Sequence, residues 1–220
     1  MYISIMEIFI SIDGVLRNTI QKLNYHYIDA YIDSELEENS FEYGITEPIE
    51  NNNLLASYKF QSKDEFEYFL FIEYPIEIFG HAGLSYSTTF TDLNNIIFYN
   101  KEHNITLIGL DELGKAKPAT LFFLSKNGFL GSNIKFSTSD KIDDLWKQCD
   151  MWITDNINVI NACPEDKTVY KFNTTYNQHF TNKLEIGKLT EITNLCSNFL
   201  ESNTTSTSKQ LPTDAEQEKQ

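Results

Sequence analysis

The stretch "FISIDGVLRNT", residues 9–19, decides how the rest of the chain is read. Residues 3–12 form an apolar run rich in Ile and Phe, the signature of a strand buried on both faces. Gly14 permits a tight exit from that strand. Apolar residues then recur at helical spacing through Leu16, Ile20, Leu23, Tyr27 and Tyr31. A buried strand that runs into an acidic residue, a glycine and a helix places Asp13 at a strand end, and Ser11 stands two positions before it.

The same alternation continues downstream. Ser62 is placed to cap a helix carrying Asp64 and Glu65 in its first turn, with Pro75 breaking it. Residues 91–104 read as a second helix, and "ITLIGLD" (105–111) as a second buried strand. Pro118 and Gly128 bracket a short buried helix. "NIKFSTS" (133–139) reads as a third strand, Asp140 as the cap of a helix over 141–149, "MWITDN" (151–156) as a fourth strand and "TVYKFN" (168–173) as a fifth. A helix over 188–200 closes the fold. Five strands alternating with helices predict an α/β three-layer sandwich around a central parallel sheet. One domain is expected over 1–200, with a cap-like insertion at about 33–100. Residues 201–220 hold one leucine and no aromatic residue, and are expected to form a flexible tail.

Composition narrows the function classes. The 220 residues carry a formal net charge of -15 and 14% aromatics. A chain so acidic repels phosphate backbones, so nucleic acid is not the expected partner. A basic protein surface or a cation is. Cys149, Cys163 and Cys196 show no CxxC spacing, which fits a reducing, cytoplasmic setting. No apolar run reaches the ~20 residues of a membrane helix, and no membrane partner is expected.

The order of acidic and basic residues at the strand ends resembles the haloacid dehalogenase-like (HAD) superfamily. "SIDGVL" is similar to its first motif, Asp-x-Asp-Gly, with Ser11 in place of the first acid and Asp13 as the second. "ITLIGLD" stands where the second motif ends a strand in Ser or Thr, but offers Gly109 or Leu110. Lys141 stands where the third motif has its lysine, and "MWITDN" where an acidic pair closes the fourth, here Thr154 and Asp155. The resemblance implies an aspartyl nucleophile, a second aspartate as general acid and base, and Mg²⁺ between the carboxylates and a phosphate. On that basis Asp13 and Lys141 would be the catalytic candidates, and Asp13 and Asp155 the candidate Mg²⁺ ligands.

Ser11 carries no charge for a metal and has no histidine nearby in sequence, and the departures at Gly109 and Thr154 fall in the same constellation. The expectation is therefore a non-catalytic HAD-like protein, with no cofactor required and an interaction or assembly role. A divergent Mg²⁺-dependent phosphatase or nucleotidase is the alternative. "EIFGHA" (77–82) and "KPATLFFLSK" (117–126) look similar to proteins of tailed bacteriophages, including the crAss-like group. That likeness implies a virion or head–tail connector component, with other virion proteins as partners in a ring. The plainer readings are that Asp13 and Asp155 bond backbone amides at turns, that Lys141 is a solvated first-turn lysine, and that His81 is a structural loop histidine.

Overall fold

Apolar side chains fill both faces of the first strand, and this puts it at the centre of the sheet. The computed structural model describes residues 5–31, 58, 60–182 and 184–192. In chain order the elements begin with β1 (Glu7–Ser11), β2 (Arg17–Asn18) and α1 (Thr19–Tyr31). Next come α2 (Lys63–Tyr68), two π-helical turns (Phe69–Glu73 and Ile76–Gly80), β3 (Gly83–Leu84) and α3 (Thr89–Tyr99). β4 (Asn104–Leu110), α4 (Ala116–Lys126), β5 (Ile134–Ser137) and α5 (Ile142–Trp146) follow. The last are β6 (Met151–Thr154), α6 (Ile157–Asn161), β7 (Thr168–Phe172) and β8 (Glu185–Ile186).

The sheet has six strands in the order β5-β4-β1-β6-β7-β8, and every neighbouring pair is parallel. Alternate residues of β1 serve opposite faces. Ile8 and Ile10 pack with Phe90, Leu93 and Ile96 of α3 and Phe123 of α4. Phe9 packs on the other side with Trp152, Leu145 and Trp146 of α5 and Val159 of α6. The expected α/β architecture, with a parallel sheet covered by helices on both faces, is the one observed. The chain builds outward from β1 through β4 to β5, then returns to the other side of β1 with β6. That reversal leaves a crevice at the carboxyl ends of β1 and β6, the place where open α/β sheets bind ligands.

A third apolar cluster joins Leu23, Phe66, Phe69, Leu70, Ile78 and Phe79 to Ala116 and Ala119 of α4. Its members from before β3 lie between the two strands of a small antiparallel ribbon, in which Arg17 pairs with Leu84 and Asn18 with Gly83. The segment that packs apart from the main core is thus bounded by this ribbon. Part of the expected insertion, α3, belongs to the main core instead. Residues 33–57 and 59 of the insertion and 201–220 of the expected tail lie outside the described residues.

Local signals explain most boundaries. Ser62 caps α2 by accepting from the Glu65 N–H at 3.1 Å, and Pro75 separates the two π-helical turns. Two expectations are corrected. Pro118 is the third residue of α4, still among the turns whose N–H groups need no intrahelical partner. Asp140 is not a helix cap but lies within a 3₁₀ turn (Ser139–Lys141), and Lys141 occupies the cap position of α5 with no side-chain bond. The ribbon and β8 were not foreseen. The helix expected over 188–200 begins two residues later, is helical at 190–192, and its residues 193–200 lie outside the described residues. Among the described residues no helix is long and apolar enough to cross a membrane.

Candidate functional site

The turn after β1 builds the site. Leu16 and Arg17 donate backbone N–H groups to the Ile12 carbonyl at 3.0 and 3.2 Å, and Gly14 to that of Arg17 at 3.0 Å. Gly14 has φ +73, and a Cβ placed there would lie 2.0 Å from the Asp155 carboxylate. Glycine is therefore required twice, for the backbone and for the close approach of β6. The turn brings Asp13 and Arg17, four residues apart, onto one side.

Arg17 is the centre of a buried network and the only arginine in the chain. It is 0% exposed. Its Nε and Nη2 donate to the two Asp13 oxygens at 2.7 and 3.0 Å, a bidentate pair. Nη2 also reaches Glu112 Oε1 at 2.8 Å, and Nη1 reaches Thr120 Oγ1 at 2.6 Å. Thr120 in turn donates to Glu112, and Thr19 to Asp13. The guanidinium lies 4.9 Å from the centroid of the Phe79 ring. Burial pulls Arg17 down, but Asp13 and Glu112 more than offset it and hold it above its ordinary value. Burial also pushes Glu112 up to about 7, against the pull of Arg17.

Ser11 is not poised as a nucleophile. Its Oγ donates to Thr154 Oγ1 at 2.8 Å and accepts from Trp152 Nε1 at 3.1 Å, all three residues being buried. Thr154 Oγ1 also accepts from the Asn156 N–H. Asp155 is only 5% exposed and accepts from the Tyr176 hydroxyl. Burial pushes it up to about 7; Tyr176 opposes the shift and nearby Asp13 adds to it. In β4, a Cβ on Gly109 would meet Glu112 Oε1 at 2.7 Å and the Phe136 ring at 2.8 Å. Glycine stands there because Glu112 and Phe136 take the space a hydroxyl side chain would need.

A cavity of about 750 Å³ lies between the sheet edge and the ribbon-bounded insertion. Ser11, Asp13 and Asp155 all line it, joined by Tyr176. Lys141 does not: it is exposed on the turn before α5, although its neighbours Thr138, Ser139 and Asp140 line the cavity. His81 is exposed, packs on Phe122 with ring centroids 5.3 Å apart, and does not line the cavity either. Arg17, Glu112 and Tyr176 were missed by the sequence reading. The available signal was that the sole arginine sits inside the stretch that decides the fold.

The residues present do not fit Mg²⁺. Both Asp13 oxygens are engaged by a guanidinium, whose charge opposes a second cation. Asp155 is held by Tyr176 and retains a proton up to near neutrality. Among the described residues no group of three or more His, Cys, Asp and Glu side chains is placed to hold a metal ion. Comparison with protein-family models and with curated proteins finds no match.

Proposed function

We propose that this chain is a non-catalytic protein of the HAD-like type that serves an interaction or assembly role. The observation that carries the reading is the closure of Asp13 by Arg17, beside a Ser11 hydroxyl tied into the Thr154–Trp152 pair. A phosphoryl-transfer site needs a free nucleophile and carboxylates open to a cation, and these side chains are engaged with each other. The strand order supports the likeness in scaffold, since Asp13 and Asp155 follow the two strands at its reversal. In this reading the acidic surface, net charge -15, docks on a basic protein partner. The two phage-like phrases support a virion or connector-ring setting. They meet in space: Lys126 Nζ donates to the Gly80 carbonyl at 3.3 Å, and His81 packs on Phe122.

The test is phosphate release from nitrophenyl phosphate and nucleoside monophosphates with Mg²⁺. The unmodified protein is expected to stay at the buffer blank. Ser11→Asp is expected to gain no turnover either, because Asp13 remains bound to Arg17. Mg²⁺-dependent release by the unmodified protein, abolished in Asp13→Asn, would establish the divergent phosphatase instead.

A further inference from the structure

Charge is unevenly placed along the chain. From Leu113 to Ser139 it carries four lysines and no acidic residue, in a sequence with 32 acids and a net charge of -15. The outer face of α4 displays this run, with Lys115, Lys117, Leu121, Phe122 and Lys126 all exposed. Lys115 Nζ donates to the Ile72 carbonyl at 3.5 Å and Lys126 Nζ to the Gly80 carbonyl at 3.3 Å. Neither lysine is ion-paired among the described residues.

Both carbonyls belong to the π-helical turns, which set two exposed isoleucines against α4. A Cβ built on Gly114 would lie 3.0 Å from Ile72 Cδ1, and one on Gly80 would lie 3.7 Å from Ile76 Cγ2 and 3.1 Å from the Phe122 ring. Ile72, Ile76 and Phe122, each about two-fifths exposed, thus form a seam beside the lysines. The residue after each isoleucine is an acid, Glu73 or Glu77. Burial and then the charges of Glu73, Asp29 and Glu77 hold the Tyr74 hydroxyl above its ordinary value, which gathers the three acids around one ring. That ring stacks on His26 of α1 at 5.3 Å, so the acids border the seam on its α1 side. Lys22 of α1 lies over Tyr25, and neither glutamate is ion-paired among the described residues.

A basic strip, an apolar seam and an acidic strip therefore lie side by side. A contiguous exposed apolar patch with a polar rim marks a docking face, and the rim selects the occupant. A uniformly acidic or uniformly basic partner would be repelled by one of the two strips. A second copy turned about a two-fold axis through the seam meets all three: apolar on apolar, and each copy's lysines on the other's acids. Two-fold pairing is the commonest closed assembly. The like net charge of two copies opposes it only weakly, because charges separated by more than about 8 Å are screened at physiological salt.

We propose that this chain forms a two-fold dimer through Ile72, Ile76 and Phe122, with Lys115 and Lys126 of each copy on Glu73 and Glu77 of the other. This supplies a partner for the interaction role and does not depend on the absence of turnover.

Analytical ultracentrifugation of the full chain at physiological salt, over a range of protein concentrations, is expected to show a reversible monomer–dimer equilibrium. Lys115→Glu with Lys126→Glu, and separately Glu73→Lys with Glu77→Lys, should each weaken pairing at least ~tenfold, because both contacts of each homodimer then set like charges together. Mixing the two double variants is expected to restore the dimer, since both contacts of the mixed pair again join opposite charges. If either double variant fails to fold, Ile76→Asp, at a position 42% exposed, carries the test and should abolish pairing. A monomer at every concentration leaves the face to a different partner and overturns the proposal. So do assemblies larger than two, a dimer unmoved by the substitutions, or double variants that stay monomeric when mixed. A monomer that releases no phosphate removes this proposal alone, whereas a dimer with Mg²⁺-dependent phosphate release removes the non-catalytic reading alone.

Discussion

Arg17 shows how one side chain can change what a site does. A buried ion pair is not in itself a source of stability, because desolvation offsets much of its attraction. Removing one partner is a different matter, since it strands the other charges. Here Arg17 faces two carboxylates, Asp13 and Glu112, with Glu112 almost fully buried. Arg17→Met is therefore expected to cost about 3–5 kcal/mol in urea unfolding. Adding Glu112→Gln should return part of that loss, because the stranded charge is gone; strict additivity of the two changes would show that the network does not act as a unit. Gly109→Ser makes the complementary point. It adds a hydroxyl at the end of β4, the position the proposed HAD-like likeness would give to Ser or Thr, yet its Cβ would press on Glu112 and Phe136. It is expected to lose about 1–3 kcal/mol and to gain no phosphate release.

The turn between β1 and β2 works as an element because Gly14 meets two demands at once. Gly128 offers the control: its φ is +74, close to that of Gly14, but nothing lies within 4 Å of a Cβ built on it. Gly128→Ala should therefore cost only the left-handed backbone penalty, about 1–2 kcal/mol. Gly14→Ala must also displace Asp155 and should cost clearly more in the same unfolding experiment. Equal losses would mean that β6 yields readily and that the approach of Asp155 is not fixed by the turn. The contrast also marks what was legible in the sequence. β1 and β4 could be read because burial on both faces leaves long apolar runs, β5, β6 and β7 as short β-branched or aromatic stretches between polar residues, and α4 because proline and glycine bracket it. The ribbon and β8 could not, being two-residue strands whose partners are set by distant pairing. Asp13 and Asp155 were legible as acids at strand ends. The Arg17 clamp was not, because its second carboxylate is 95 residues away and nothing local announces it. Lys141 differs for another reason: it stands just before α5, as its neighbours suggested, but the 3₁₀ turn there leaves it exposed.

At the scale of the whole molecule, the buried acids predict how stability follows pH. Asp155 and Glu112 are both pushed up to about 7, chiefly by burial. In the unfolded chain they ionise near 4, so between the two values the folded state holds protons that the unfolded state has released. Stability then falls as pH rises, because the folded state binds more protons. The loss should develop from about pH 4 to about pH 7 and level off above it, amounting to a few kcal/mol. The net charge of -15 works in the same direction, since repulsion grows as the pH climbs away from the pI of 4.6. Salt separates the two contributions: it screens exposed charges, whereas carboxyls buried beside Tyr176 and Arg17 are shielded from it. Thermal unfolding from pH 5 to pH 8 in high salt is therefore expected to keep most of its slope in the unmodified protein. Asp155→Asn, which keeps the shape and removes the titration, should flatten that profile in part, and the double change with Glu112→Gln should flatten it further. A slope that vanishes in salt, or persists unchanged in both variants, would assign the pH dependence to the acidic surface and leave the sheet edge without a role in it.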